Sequence, residues 1–262
     1  MLNTYYRSFL FCFFLISCLC GTLQAQILDD STKKVYGYHS LKYGTEEDVF
    51  MNGGLSRRVD SSLASIQRYG YIYRNNHYSQ DLGNWATPLK SVTSNMPTQL
   101  GRQTGFTVYS PYEFHPDQIK YFDTKSPYAE LKYYQGSRGQ QSIDASFTRN
   151  INSQWNVGFD LRRIISKKII GMVNKNDRQA QMYAFDFFVS HHSKNERYFL
   201  LASFSYLTQQ NAESGGIMPD SGQTKDDLFG NQLERVWLTN AGSLDNRYTY
   251  RIYQQYDVLK NH

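Results

Sequence analysis

The residue types that could carry chemistry are present, but their spacing fits little of it. His191 and His192 are adjacent, and neighbours on an extended strand point to opposite faces, so they make a poor metal pair. With Ser193 and Lys194 they read as a solvated turn. Gly136-Ser137-Arg138-Gly139 lacks the G-x-S-x-G spacing of a nucleophile elbow, and "NKNDRQ", Asn174 to Gln179, lacks that of a calcium loop. The run "RRIISKKII", Arg162 to Ile170, mixes paired charges with paired apolar residues. It reads as a strand leaving an apolar belt for a basic loop, with surface-lipid binding as the lesser alternative. No catalytic, cofactor-binding or metal-ligating residues emerge, and the chain reads as no enzyme. What remains is a set of charges at alternate strand positions: Glu130, Lys132, Asp144, Asp160, Arg162 and Asp186. Facing a water-filled interior, such a set would keep its hydration and, with mixed signs, select weakly among ions. Alternation alone does not separate that role from ordinary water-facing positions.

The elements that carry these charges alternate with period two. Ile143, Ala145 and Phe147 oppose Ser142, Asp144, Ser146 and Thr148; Trp155, Val157, Phe159 and Leu161 oppose Asn156, Gly158, Asp160 and Arg162. "YAELKYY", "QMYAFDFFV", "YFLLASFSY" and "RYTYRIYQQY" continue the pattern, and "FTVY" and "IKYF" are shorter candidates. As a meander, these strands put the turn at Asn150–Gln154 and "HHSKNE" on one side. "QGSRGQ", "GMVNKNDRQ" and the long polar loop Thr208–Asn246 fall on the other, which resembles the short-turn and long-loop sides of an outer-membrane barrel.

The apolar face then meets either lipid or a soluble core. Tyr198 to Tyr206 and Trp155 to Arg163 reach the ~9–11 residues a tilted membrane strand needs, beyond the ~5–6 of ordinary strands. Along Tyr198, Leu200, Ala202, Phe204 and Tyr206 an amphipathic ring stands at each end with apolar groups between. That order fits an aromatic girdle at two interfaces, although Tyr also favours strands in general. The expected lipid-facing belt is Trp155, Val157, Phe159, Leu161, Tyr198, Leu200, Phe204 and Tyr206.

Composition bounds the rest. The 262 residues include 22 Tyr and only 6 Pro, and the formal net charge of +5 is spread along the chain. No basic cluster accompanies a nucleic-acid motif, so that partner class is set aside. Residues 1–25 read as a cleaved export signal: Arg7, an apolar run from Phe9 to Cys20, and a small-residue boundary at Ala25. A lipobox-like Leu15-Ile16-Ser17-Cys18, with Cys18 lipidated, is the rival reading. All 3 cysteines lie in this segment, so no disulfide would staple the mature chain. Residues 26–105 are ambiguous, either first strands or a plug-like segment, and residues 106–262 carry the strands.

"YSQDLGNWATP" and the stretch from "YFDTKSPY" to "NINSQWNVGFDLRR", with the later "GG" after "NAES", resemble the putative-porin family of Gram-negative outer membranes. The resemblance covers about Asp81 to Gly216 and supplies no ligand residues. It implies an all-β, antiparallel up-and-down transmembrane barrel in the outer membrane, passing small solutes passively without a cofactor. Partners would be membrane lipid and the solutes, with homo-oligomers compatible. Because no closing strand or terminal aromatic follows "YDVLKNH", the barrel is expected to be incomplete, an N-terminal portion of a longer protein. Two rivals stay open: a soluble exported β-sandwich that binds glycans, and an outer-membrane barrel with a surface-binding or enzymatic role.

Overall fold

The computed structural model describes residues 37, 40–59, 79–93, 107–171, 177–224, 227 and 234–258. The expected export signal at residues 1–25, and the parts of 26–105 outside these ranges, lie beyond the described residues. The chain divides into two compact units, Met1–Gly37 and Tyr38–His262. Every described helix and strand lies in the second.

The body of that unit is one antiparallel sheet of consecutive strands: β6 Tyr128–Gln135, β7 Gln141–Asn150, β8 Trp155–Lys167, β9 Arg178–His192, β10 Tyr198–Glu213 and β11 Ala241–Tyr256. Each pairs with its neighbours in sequence, giving the order β11-β10-β9-β8-β7-β6. This is the up-and-down meander that the alternation predicts. Closure is not present among the described residues: the sheet is open, with β6 and β11 at its edges. No described helix is long and apolar enough to cross a membrane.

The strands outrun their apolar stretches. The predicted loop Thr208–Asn246 contracts to 214–240, because Gln209 and Asn211 stay in β10. Their side chains have inward partners: Gln209 donates to the Ala86 carbonyl at 2.6 Å, and Asn211 donates to the Tyr109 hydroxyl. His191 and His192 likewise close β9 instead of forming a turn. Gly158 is needed inside β8. A Cβ there would meet the Phe188 ring at 2.3 Å and the Phe147 carbonyl at 2.8 Å.

The chain before β6 forms a second layer of small pieces. β1 Lys42–Gly44 pairs with β2 Arg57–Arg58 and with β5 Tyr121–Asp123, and β3 Ser79–Gln80 pairs with β4 Lys90–Ser91. "IKYF" is thus a strand in part. The described part of "FTVY", residues 107–109, is not: Val108 and Tyr109 form a turn that leads into a 3-10 turn at Ser110–Tyr112, where Pro111 ends any extended run. A short helix, α1, spans Glu46–Asn52. Thr45 and Asp48 form its capping box, three acids fill its first turn, and Gly53 ends it at φ 66°.

This layer packs on one face of the sheet through two apolar clusters. Ala86, Leu89, Tyr109 and Tyr112 meet Ile164, Met182, Ala184 and Leu207 towards the long-loop end. Leu41, Val49, Ile119, Tyr121 and Phe122 meet Phe188, Phe199 and Leu201 towards the short-turn end.

Candidate functional site

The two faces of the six-stranded sheet differ in every respect that matters for function. Each strand carries one carboxylate: Glu130, Asp144, Asp160, Asp186, Glu213 and Asp245. Alternation and register put all of them on the face that the N-terminal layer covers. Glu130, Ser146, Asp160, Asp186, Ser205 and Thr249 form one row across the strands, and Lys132, Asp144, Arg162, Ala184, Leu207 and Arg247 form the next.

The layer is tied down here by polar contacts. Arg162 donates to Asp144 at 2.7 Å and to the Tyr112 carbonyl at 3.3 Å, and its guanidinium lies 4.9 Å from the centre of the Phe114 ring. Arg247 reaches Ser110 at 3.0 Å and Glu113 at 3.4 Å, and Arg251 reaches Glu46 at 3.0 Å. Asn84 donates to the Lys167 carbonyl and Ser166 to the Trp85 carbonyl, both at 2.7 Å. Between the two apolar clusters lies the carboxylate row. Ser205 donates to Asp186 Oδ1 at 2.6 Å, while Asp186 Oδ2 is buried without a hydrogen-bond partner among the described residues. Burial pushes the Tyr121 phenol up to about 12, so this group is neutral at any physiological pH.

Of the charges singled out in the sequence, the six share this face but not one environment. Asp186 is fully buried, Asp144 and Arg162 are nearly so and paired, and Asp160 is partly covered. Glu130 and Lys132, on the edge strand, pair with each other and stay half exposed. As placed, the six lie beneath the N-terminal layer or at its edge.

The opposite face is apolar and bare. Trp155, Val157, Phe159, Leu161, Tyr198, Leu200, Phe204 and Tyr206 are exposed or half-buried, and neither apolar cluster includes any of them. Phe147, Phe159, Phe187, Phe204 and Tyr250 form one row across five strands. Its ring pairs stand 5.8 Å apart for Phe147–Phe159 and 5.0 Å for Phe204–Tyr250. Towards the short turns Trp155 stacks on His191 at 4.3 Å, with Tyr198 6.0 Å beyond. Towards the long loops Tyr206 stacks on Tyr248 at 4.9 Å. Trp155 to Arg163 is eight steps of ~3.3 Å, or about 26 Å of strand, which a barrel-like tilt of ~40° brings to about 20 Å, close to the ~25 Å apolar band of outer-membrane barrels.

Sequence reasoning passed over the residues that hold the second layer. Gln209, Asn211 and Ser166 look like loop or surface residues in the sequence, and their partners lie 81 to 123 residues away. The signal that could have found the layer is apolar residues on the supposed water face: Phe188, Phe199, Leu201 and Leu207 break the alternation where they are covered. His191 and His192 do point to opposite faces, towards Trp155 and towards Phe199. No group of three or more His, Cys, Asp or Glu among the described residues could hold a metal ion.

The up-and-down sheet of long strands thus carries its carboxylates on the face that the N-terminal layer covers through two apolar clusters, and aromatic and aliphatic side chains on the face left bare. The chain belongs to the family described as "Putative porin", whose sequence model matches residues 42–262. No curated protein and no solved structure matches it.

Proposed function

We propose that this protein is a porin-like β-barrel of a Gram-negative outer membrane that passes small solutes by passive diffusion, with its N-terminal layer seated in the lumen as a plug. One observation carries the reading: the second layer packs on the face that holds all six strand carboxylates and leaves the aromatic and aliphatic face uncovered. A soluble sandwich keeps the outer face of each sheet polar, whereas here the open face is aromatic and aliphatic even though the second layer already buries two apolar clusters on the other. In lipid the bare face is the favourable one, and the carboxylates are kept from hydrocarbon.

Lipid offers no hydrogen bonds, so an unpaired strand edge there costs several kcal/mol per group. On this reading the edges of β6 and β11 are paired in the bilayer by other strands, and a second copy of the chain is one source of them. Solutes would pass by size and charge, with no cofactor or catalytic step. The filled interior sets the level of conduction: a seated plug admits little, and its displacement opens the path.

The test is expression in a Gram-negative host followed by fractionation and planar-bilayer recording. The reading expects recovery from the outer membrane, slower gel migration after boiling, and stepwise conductance. Recovery as a soluble periplasmic protein would sink the barrel, and a correctly inserted barrel that stays silent even without its plug would sink the diffusion role.

A further inference from the structure

The six charges picked out in the sequence are mixed in sign, but the sheet sorts them. Glu130, Ser146, Asp160, Asp186, Ser205 and Thr249 are successive cross-strand partners from β6 to β11. Every strand thus gives this row an oxygen, three carboxylates and three hydroxyls, and none gives it a side-chain nitrogen. The cations stand one row to either side. Lys132, Arg162 and Arg247 lie in the row towards the long loops, and Arg251 in the row towards the short turns.

Each of those cations is already paired. Arg162 holds Asp144 at 2.7 Å, Arg247 holds Asp245 at 2.8 Å and Glu113 at 3.4 Å, and Arg251 holds Glu46. Lys132 takes the outermost acid of the row, Glu130. Asp160 and Asp186 are left, and neither makes an ion pair among the described residues. Lys120 of the N-terminal layer also acts on Asp160, with its Nζ 5.1 Å from the centre of the Tyr43 ring, and it would leave with the layer.

The two carboxylates are direct partners across β8 and β9, a position in which like charges repel. Asp186 is fully buried, and its Oδ2 has no hydrogen-bond partner among the described residues. Positive charge for this pair therefore has to come from a species that is not part of the wall. Apolar clusters lie on both sides of the row, and low-dielectric walls of this kind focus the field of a single-sign lining.

We infer that this row makes the path selective for small cations, and that Asp160 and Asp186 are the residues that choose them. The inference deepens the proposed channel and rests on it. With the layer displaced, the two carboxylates face the path and raise the local concentration of cations. Ser146, Ser205 and Thr249 add neutral oxygens of the kind that replace part of a cation's water shell. An anion would meet three carboxylates in the row and no cation.

The experiment records the full chain in planar bilayers under a potassium chloride gradient, where the reversal potential gives the permeability ratio of the two ions. The wild type is expected to prefer potassium by about tenfold or more. Asp160→Asn/Asp186→Asn should lose most of that preference while still conducting. Loosening of the layer alone would change the size of the current and not this ratio. Thr249→Lys, at the half-buried end of the row on β11, should lower the preference with the covered pair intact, so the test survives a double variant that fails to insert. A wild type that conducts with no preference, or prefers chloride, overturns the inference and leaves the porin reading standing. A preference unchanged in the inserted variants also overturns it. An inserted barrel that never conducts removes channel and selectivity together.

Discussion

Asp186 and Phe187 are consecutive in β9 and have exchanged the usual environments of their types: the carboxylate is 0% exposed and the phenyl ring 44% exposed. A water-soluble fold would pay for both placements. In a membrane wall the Phe187 placement would become favourable, because its ring would meet hydrocarbon; Asp186 lies under the N-terminal layer, with Ser205 donating to Oδ1 and Oδ2 left without a partner among the described residues.

Phe187→Arg tests that relationship directly. Phe187 sits in the middle row of the bare face, where a guanidinium at bilayer depth costs ~2–4 kcal/mol. The variant should insert poorly into lipid vesicles, seen as loss of the heat-modifiable form and a lower urea midpoint. Ser146→Arg, on the other face between Glu130 and Asp160 in the carboxylate row, should insert nearly as well as the wild type. If both variants insert equally, the bare face does not meet lipid.

Gly158→Ala tests the contact that seats the short-turn end of the layer. The added methyl would stand 2.3 Å from Phe188 and 2.8 Å from the Phe147 carbonyl, so the ring must move off Tyr121 and Phe122, whose own centres lie 6.0 Å away. Overpacking of this kind costs ~1–3 kcal/mol. In a double-mutant cycle Gly158→Ala should cost less when Phe188 is already Ala, by ~1 kcal/mol or more in unfolding measurements. Strict additivity would mean that the ring does not lie over the glycine.

Much of the sheet was legible because period-two alternation is a local signal. Val157, Phe159 and Leu161 against Asn156, Gly158 and Asp160 gave the faces of β8 without any partner being known, and the turns came with them. The second layer was not legible, because what holds it is distant: Asn84 reaches Lys167 and Tyr109 reaches Asn211. Its cover converts Phe188, Phe199 and Leu201 from exceptions into a footprint. The helix α1 could have been read from Thr45, three acids and Gly53, yet seven residues of helix leave little periodicity to notice. Alternation put the six charges on one face, where they fall in two adjacent rows; that a second layer would lie over them was not legible, since alternation cannot say what lies above a strand.

Asp48 gives the layer a pH dependence of known sign. Burial pushes its carboxyl up, but donation from Thr45 and from Arg57 outweighs this and holds it below the ordinary carboxylate value. A group lowered in the folded state contributes fully above its unfolded value, near 4, and the contribution fades as pH falls through the folded value. Amide-exchange protection of residues 45–58, corrected for intrinsic rates, should therefore be flat from pH 7 to about 5 and drop below about 4. Asp48→Asn should show the lowered protection already at pH 7, by about five- to thirtyfold for a loss of ~1–2 kcal/mol. Protection that rises on acidification would contradict the capping and ion-pair roles together.

Arg247 and Arg162 are the two cations that reach from the sheet to the chain around Ser110–Glu113, and they lie in the same cross-strand row. Removing Arg247 takes its guanidinium from Glu113 and the donor from Ser110, which would weaken the seat of the N-terminal layer, the plug of the proposed barrel, without touching the bare face. Arg247→Ala should therefore insert like the wild type yet conduct more: a higher open probability in planar bilayers and faster solute-driven swelling of vesicles. Arg162→Ala should act in the same direction and more strongly, because it also leaves Asp144 without its guanidinium inside a covered space. High salt should reproduce part of the effect in the wild type and little in the variants, since it screens the same charges. Unchanged conductance in both variants, with insertion intact, would show that the layer over the carboxylate row does not control the path through the barrel.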